Sequence, residues 1–269
     1  MEMAFVTTII GSMPKPPWLL AQKALNDPQA DHHGKGADWL PAPEVLRKAQ
    51  DDACRVAIHD QEHAGIDIIS DGEIRRESYS NRVANALEGI DIDNPGTAID
   101  RTGHPNSVPR VIGKIKRGKP IEVDDVKFLR ANTDRQIKIT LPGPFTMTQQ
   151  AENCHYEDEM GLAMDYAAAV NEEIKSLFAA GADVVQLDEP YMQARPEAAK
   201  KYAVKAINRA LEKIEGTTAL HMCFGYAYVV KEKPSAYSFL TELEDTYADQ
   251  ISIETAQPKL DLSLLASLP

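Results

Sequence analysis

The sequence predicts an α/β protein built as a (β/α)8 TIM barrel, and three observations carry that prediction. Short apolar runs alternate with long amphipathic stretches, the rhythm of parallel β/α units. Glycines such as Gly65 and Gly181 punctuate the joints between helix and strand. Each strand also ends in polar or conformationally special residues, and the C-terminal strand ends of a barrel form its ligand-binding face. An open doubly wound sheet would bind there too, but it would usually show a glycine-rich first turn. The chain contains no G-x-G-x-x-G or Walker sequence. Its 269 residues suit one large core.

Phe5 to Ile10 reads as the first strand, ending at Gly11-Ser12. Pro43 to Ala64 reads as a helix, with Val45, Leu46, Ala49, Ala53, Val56 and Ala57 at helical spacing. Gly65 stops it, and Ile66 to Ile69 forms a strand ending at Asp71-Gly72-Glu73. A third strand ends at Pro142-Gly143-Pro144. Met160 to Ala180 is a helix closed by Gly181, followed by the strand Val184 to Leu187 and Asp188-Glu189-Pro190. A helix over 195–215, a strand over 217–222, a helix near 236–246 and a strand over 250–253 complete the series. Residues 80–135, rich in Asn, Asp, Pro and Lys, break the rhythm after strand 2. With a strand at Val108 to Ile115, they read as an insertion, in the manner of a hairpin, over the barrel mouth. The whole of 1–269 is expected to be one catalytic domain.

The net charge of −12 argues against a nucleic-acid partner, which calls for a basic face. No apolar run approaches the roughly 18 residues that span a bilayer, and the acidic N-terminus is no signal peptide. Cysteines at 54, 154 and 223 are too scattered for a disulfide framework. A reduced, cytoplasmic enzyme is expected, with small molecules rather than nucleic acid or membrane as partners.

His221 and Cys223, two apart on one strand, project from the same face. An imidazole and a thiolate so placed make half of a zinc site, and Glu254 at the end of the next strand supplies a third ligand type. A thiol of ordinary pKa, about 8.5, is mostly protonated at neutral pH and a poor nucleophile. Zinc removes that proton and favours attack on a methyl or alkyl carbon. Glu73, Asp188 and Glu189 are carboxylates at strand ends, suited to an ammonium group. Asp188 and Glu189 are the candidate catalytic carboxylates, and Glu189 could orient a donor group or brace the loop. Arg75 and Arg76 offer an anion site, for a carboxylate, phosphate or sulfonate. His59 and His63 share a helix face and read as solvated surface. His32 and His33 lie in a polar loop, and Cys154-His155 reads as a lid or loop feature.

The strand ends, taken together, resemble those of the cobalamin-independent methionine synthases, in their C-terminal catalytic barrel. The matching pieces are Thr7-Thr8-Ile9-Ile10-Gly11-Ser12, Asp71-Gly72-Glu73, Leu141-Pro142-Gly143-Pro144-Phe145-Thr146, Gln186-Leu187-Asp188-Glu189-Pro190, His221-Met222-Cys223 and Ile253-Glu254-Thr255. The resemblance implies a TIM barrel whose zinc is held by His221, Cys223, Glu254 and a second Cys. It also implies ammonium binding by Glu73 and Asp188, with the Ser12 region on the substrate carboxylate. Cys54 and Cys154 lie in the wrong parts of the chain for the remaining ligand. Six strands match, so the last two strands, in roughly a hundred further residues of a usual barrel, are expected to be missing here.

Two departures bear on the methyl donor. The N-terminal barrel of complete family members has no counterpart, and no Trp follows Gly143-Pro144, where the family stacks folate. Phe145 or Met147 would have to supply an apolar floor. The expected function is zinc-dependent transfer of a methyl group to homocysteine, giving methionine. The alternatives are a zinc-dependent alkyltransferase for another thiol, such as coenzyme M with epoxides, and a non-catalytic barrel that binds a metal or small molecule.

Overall fold

The computed structural model describes residues 5–20, 39–76, 81–101, 103–225 and 236–268. Five parallel strands make the main sheet: β1 (Ile68–Ser70), β4 (Gln136–Pro142), β6 (Val184–Asp188), β7 (Thr217–Met222) and β8 (Gln250–Ile253). They lie side by side in chain order, and an isolated parallel bridge, Thr8 to Ile68, adds the N-terminal segment at the first edge. This unreversed order is that of a barrel wall; a doubly wound sheet reverses its order midway.

The register sorts the two faces of the sheet. Lys138 pairs with Val184, Thr140 with Gln186, and Asp188 with His221. Ile137, Ile139, Leu141, Val185, Leu187, Leu220 and Met222 join one apolar core. That core includes residues of α1 (Pro43–His63), α3 (Val123–Ala131), α5 (Glu159–Ala179) and α7 (Pro196–Leu211). The alternate residues Lys138, Thr140, Gln186, Asp188 and His221 are buried and polar, and occupy the opposite, inner face. Near-continuous burial along β4 and β6 is therefore two-sided burial with different chemistry on each side.

Two expectations need correction. Phe5 to Ile10 forms no extended strand beyond the one bridge, and Phe5 and Val6 are exposed. The helix expected near 236–246 is a single 3-10 turn, Thr241–Asp245, in which only Leu243 is buried. Tyr237, Phe239, Leu240 and Leu243 all reach the core, but the segment before Thr241 does so without helical structure. The stretch from 80 to 135 forms the expected hairpin and adds helices on either side of it. It contains the short α2 (Asn81–Asn85), the antiparallel hairpin of β2 (Glu88–Ile99) and β3 (Pro105–Lys116), and α3. The two-residue β5 (Glu152–Asn153) extends the hairpin sheet. Among the described residues, no helix is long and apolar enough to cross a membrane.

Candidate functional site

A cavity of about 310 Å³ opens at the C-terminal strand ends. Glu73 follows β1, Asp188 ends β6, His221 and Cys223 lie at the end of β7, and Glu254 follows β8; all five line it. Arg101, from the tip of the β2–β3 hairpin, lines it as well. That tip is anchored by the Arg195 guanidinium, which donates to the carbonyls of Ile99 and Asp100 at 3.3 and 3.0 Å.

The turn carrying Glu73 is conformationally unusual. Gly72 and Glu73 both have positive φ, 66° and 54°, and the second is a left-handed carboxylate residue. Its conformation is over-determined. The Glu73 N–H donates to Asp71 Oδ1 at 3.0 Å, and Ser12 Oγ donates to Glu73 Oε2 at 2.6 Å. A Cβ at residue 72 would press on Met13 and Ala57 at 3.2 Å, so glycine also permits the close approach. Ser12 acts here on Glu73 and is not among the cavity-lining residues, although Ile10 and Gly11 are.

Burial pushes the Asp188 carboxyl up to about 7, and the nearby Glu73 adds to the shift. Gln186 Nε2 donates to Asp188 Oδ1 at 2.6 Å. Gln186 Oε1 in turn accepts from Lys138 Nζ at 2.8 Å, and that ammonium also donates to the carbonyl of Ile9 at 2.8 Å. Lys138 thus bridges the inner face from the N-terminal segment to β6 and fixes which end of the Gln186 amide meets Asp188.

Burial pushes the Lys138 ammonium down to about 8, against the pull of Asp188 and Glu73. In an unfolded chain a lysine keeps its proton to about 10.4. Between these two values the unfolded state binds more protons, so Lys138 contributes a gain in stability as pH rises. Urea midpoints compared for wild type and Lys138→Met should therefore shift in favour of wild type between pH 8 and about 10. A difference independent of pH would refute this role of the buried charge.

His221 is buried, and burial, with Lys138 adding to it, pushes the imidazole down to about 4, leaving it neutral. Its Nδ1 lies 2.9 Å from Ser252 Oγ, which leaves Nε2 as the nitrogen to offer a ligand. Burial pushes the Cys223 thiol up. Glu254 Oε2 accepts from the Phe224 N–H at 3.0 Å. Among the described residues, no three His, Cys, Asp or Glu side chains gather around one point as a metal site. The trio instead lines a shared wall.

Several expected site residues lie elsewhere. Glu189 is fully buried outside the cavity, accepting from the N–H groups of Phe145 and Thr146 at 3.0 and 2.7 Å in α4 (Pro144–Gln149). Of its two expected jobs, the geometry matches bracing. Phe145 and Met147 belong to the core and give the cavity no floor. Arg75 and Arg76 are almost fully buried and committed to carboxylates, so the anion site expected of them is not there. Arg75 reaches Asp51 at 2.6 Å and Asp125 at 3.3 Å, and Arg76 lies 3.7 Å from Glu73. His59 and His63 stack at 6.0 Å on the exposed side of α1. Cys54 is buried in a small satellite core and Cys154 is exposed. His32 and His33 lie outside the described residues.

Lys138, Gln186 and Ser252 escaped sequence reasoning, although the alternation Ile137-Lys138-Ile139-Thr140-Leu141 carries a legible inward polar signal. Arg101 left none, because a hairpin tip has no periodicity to read.

The catalytic-domain model of the cobalamin-independent synthases matches residues 5–268. Methionine synthases of Sulfurisphaera tokodaii and Saccharolobus solfataricus are each 34% identical to this chain over 83% of its length. The chain spans 63% and 64% of those relatives' lengths. A B12-independent methionine synthase from Shewanella sp. W3-18-1, solved with selenomethionine, superposes with a TM-score of 0.85 at 33% identity. That match covers 96% of this chain and 75% of the other. A putative vitamin-B12 independent methionine synthase of Listeria monocytogenes shares the fold at 20% identity, with a TM-score of 0.67 over 92% of this chain and 71% of its own. With its ordered parallel wall and its strand-end carboxylates, His and Cys in one cavity, the chain belongs to the cobalamin-independent synthase catalytic-domain family.

Proposed function

We propose that this protein transfers a methyl group to the thiol of homocysteine, forming methionine, with zinc as its cofactor. One observation carries the reading: His221, Cys223 and Glu254 share a cavity with Glu73 and Asp188, in a chain of this family. Nitrogen, sulfur and oxygen donors together suit zinc better than the hard, all-oxygen cations. The Ser252 contact holds the His221 ring as outer-shell partners of metal ligands do. His221, Cys223 and Glu254 would hold the ion. When bound, zinc would keep the substrate sulfur as a thiolate at neutral pH.

The remaining work falls to the chain. Asp188 and Glu73 take the substrate ammonium. Asp188 must be ionised to do so, and Lys138 and Arg76 both favour its charged form. The Gln186 amide, held by Lys138, fixes the Asp188 carboxylate at 2.6 Å, and burial keeps competing water from it. Glu189 braces the strand ends from behind. Residues 1–269 act in this reading as one barrel domain with 80–135 over its mouth, in the cytoplasm, with small molecules as partners.

The alternative reaction, alkylation of a sulfonate-bearing thiol, loses the support that Arg75 and Arg76 would have lent, because both are buried against carboxylates. Zinc analysis of purified protein is the first test. Wild type is expected to hold about one zinc per chain and His221→Ala far less. Cys223→Ala should fold but give no turnover with homocysteine, assayed with 5-methyltetrahydrofolate and with methylcobalamin as donors. Wild-type levels of turnover in Cys223→Ala would sink the proposal. Zinc without turnover on any thiol would favour a binding protein.

A further inference from the structure

We propose that Tyr237 is a positioning residue that sets the spacing between the His221/Cys223 segment and the Glu254 segment; the inference rests on the zinc reading above. The β7–β8 ladder ends at the pair Met222 and Ile253. Cys223 and Glu254 lie one residue beyond, where ladder bonds no longer hold the strands in register. Among the described residues β8 is an edge strand, paired only with β7. The two sets of donor side chains therefore need another tie.

Tyr237 supplies it. Its hydroxyl accepts from the Glu254 N–H at 2.8 Å and lies 3.1 Å from the carbonyls of both Met222 and Glu254, to either of which its one proton can be given. A single phenol oxygen thus replaces the missing rung. Its ring packs on Phe224 at 4.4 Å between centroids, and the Phe224 N–H holds the Glu254 carboxylate. Phe239 and Leu243, buried in the core just after it, fix the segment from which it reaches. The three hydrogen-bond contacts of the Tyr237 hydroxyl are with backbone atoms of Met222 and Glu254. It acts on their backbone, as outer-shell groups orient ligands.

The test is Tyr237→Phe, which keeps the ring and removes the hydroxyl. Zinc-loaded wild type and variant are mixed with excess chelator, and zinc release is timed. The same proteins loaded with Co(II) are compared by absorption spectroscopy, and the metal-free forms by thermal melting. The variant should release zinc roughly tenfold faster. Its Co(II) ligand-field bands should shift while the thiolate charge-transfer band persists, and the metal-free melts should nearly coincide. A merely structural role would move the melts and leave the Co(II) spectrum alone. Equal release rates and superimposable Co(II) spectra would overturn the inference while leaving the zinc reading intact. A wild type that takes up neither metal would bring down both.

Discussion

Arg76→Met is expected to destabilise the protein by about 3–5 kcal/mol, the usual cost of leaving buried charges without their partner. Arg76 is 3% exposed and sits among Glu73, Glu122 and Asp71, all buried. Its guanidinium lies 3.7 Å from Glu73 and 3.8 Å from Glu122, and it donates to the carbonyl of Thr140. The surrounding carboxylates hold its pKa above the ordinary arginine value despite burial, so it remains charged throughout the useful pH range. Methionine fills similar volume but leaves Glu122, which is fully buried, with Arg82 as its remaining ion-pair partner at 2.8 Å. Urea denaturation reads the loss directly. Adding Glu122→Gln to the variant should restore part of it, because one uncompensated charge is then gone. A loss below about 1 kcal/mol would place Arg76 with weak surface pairs and defeat the argument.

Gly143→Ala is the second large effect, again about 3 kcal/mol or more, the cost of displacing a buried, hydrogen-bonded carboxylate. The backbone at Gly143 is ordinary, with φ −75° and ψ 155°, so strain plays no part. The obstacle is proximity. An added Cβ would stand 2.2 Å from both Cδ and Oε1 of Glu189. An exposed Glu would simply swing aside, but Glu189 is fully buried and holds the first-turn amides of α4. Moving it breaks both bonds. The same shift reaches the site, because the Gly143 N–H bonds the Asp188 carbonyl and the Glu189 N–H bonds that of His221, both at 2.8 Å. Lower thermal stability together with weaker substrate binding is the expected result. Wild-type melting would show that Glu189 relocates without cost.

Much of the fold and of the site is legible in the sequence. The strands at 217–222 and 250–253 lie where apolar alternation places them, and α1 and α5 end at the predicted glycines. His221 and Cys223 share a face because strand periodicity is two, and Glu73, Asp188 and Glu254 join them because parallel strands end together. The 3-10 turn at Thr241–Asp245 shows where local reading fails: Tyr237, Phe239, Leu240 and Leu243 carry helical spacing and all reach the core, yet only 241–245 is helical.

The chain's own order of residues determined its parallel architecture, its family and the line of polar groups at the strand ends, since these follow from local periodicity and spacing. Only the tertiary structure decided which charges face the cavity and which are consumed inside. Arg75, Arg76 and Glu189 look as available in sequence as Arg101, Glu73 and Asp188, yet burial against partners distant in the chain withdraws the first three. Charge is a property of a residue, but availability depends on the distances to its neighbours, and those exist only once the chain has closed on itself.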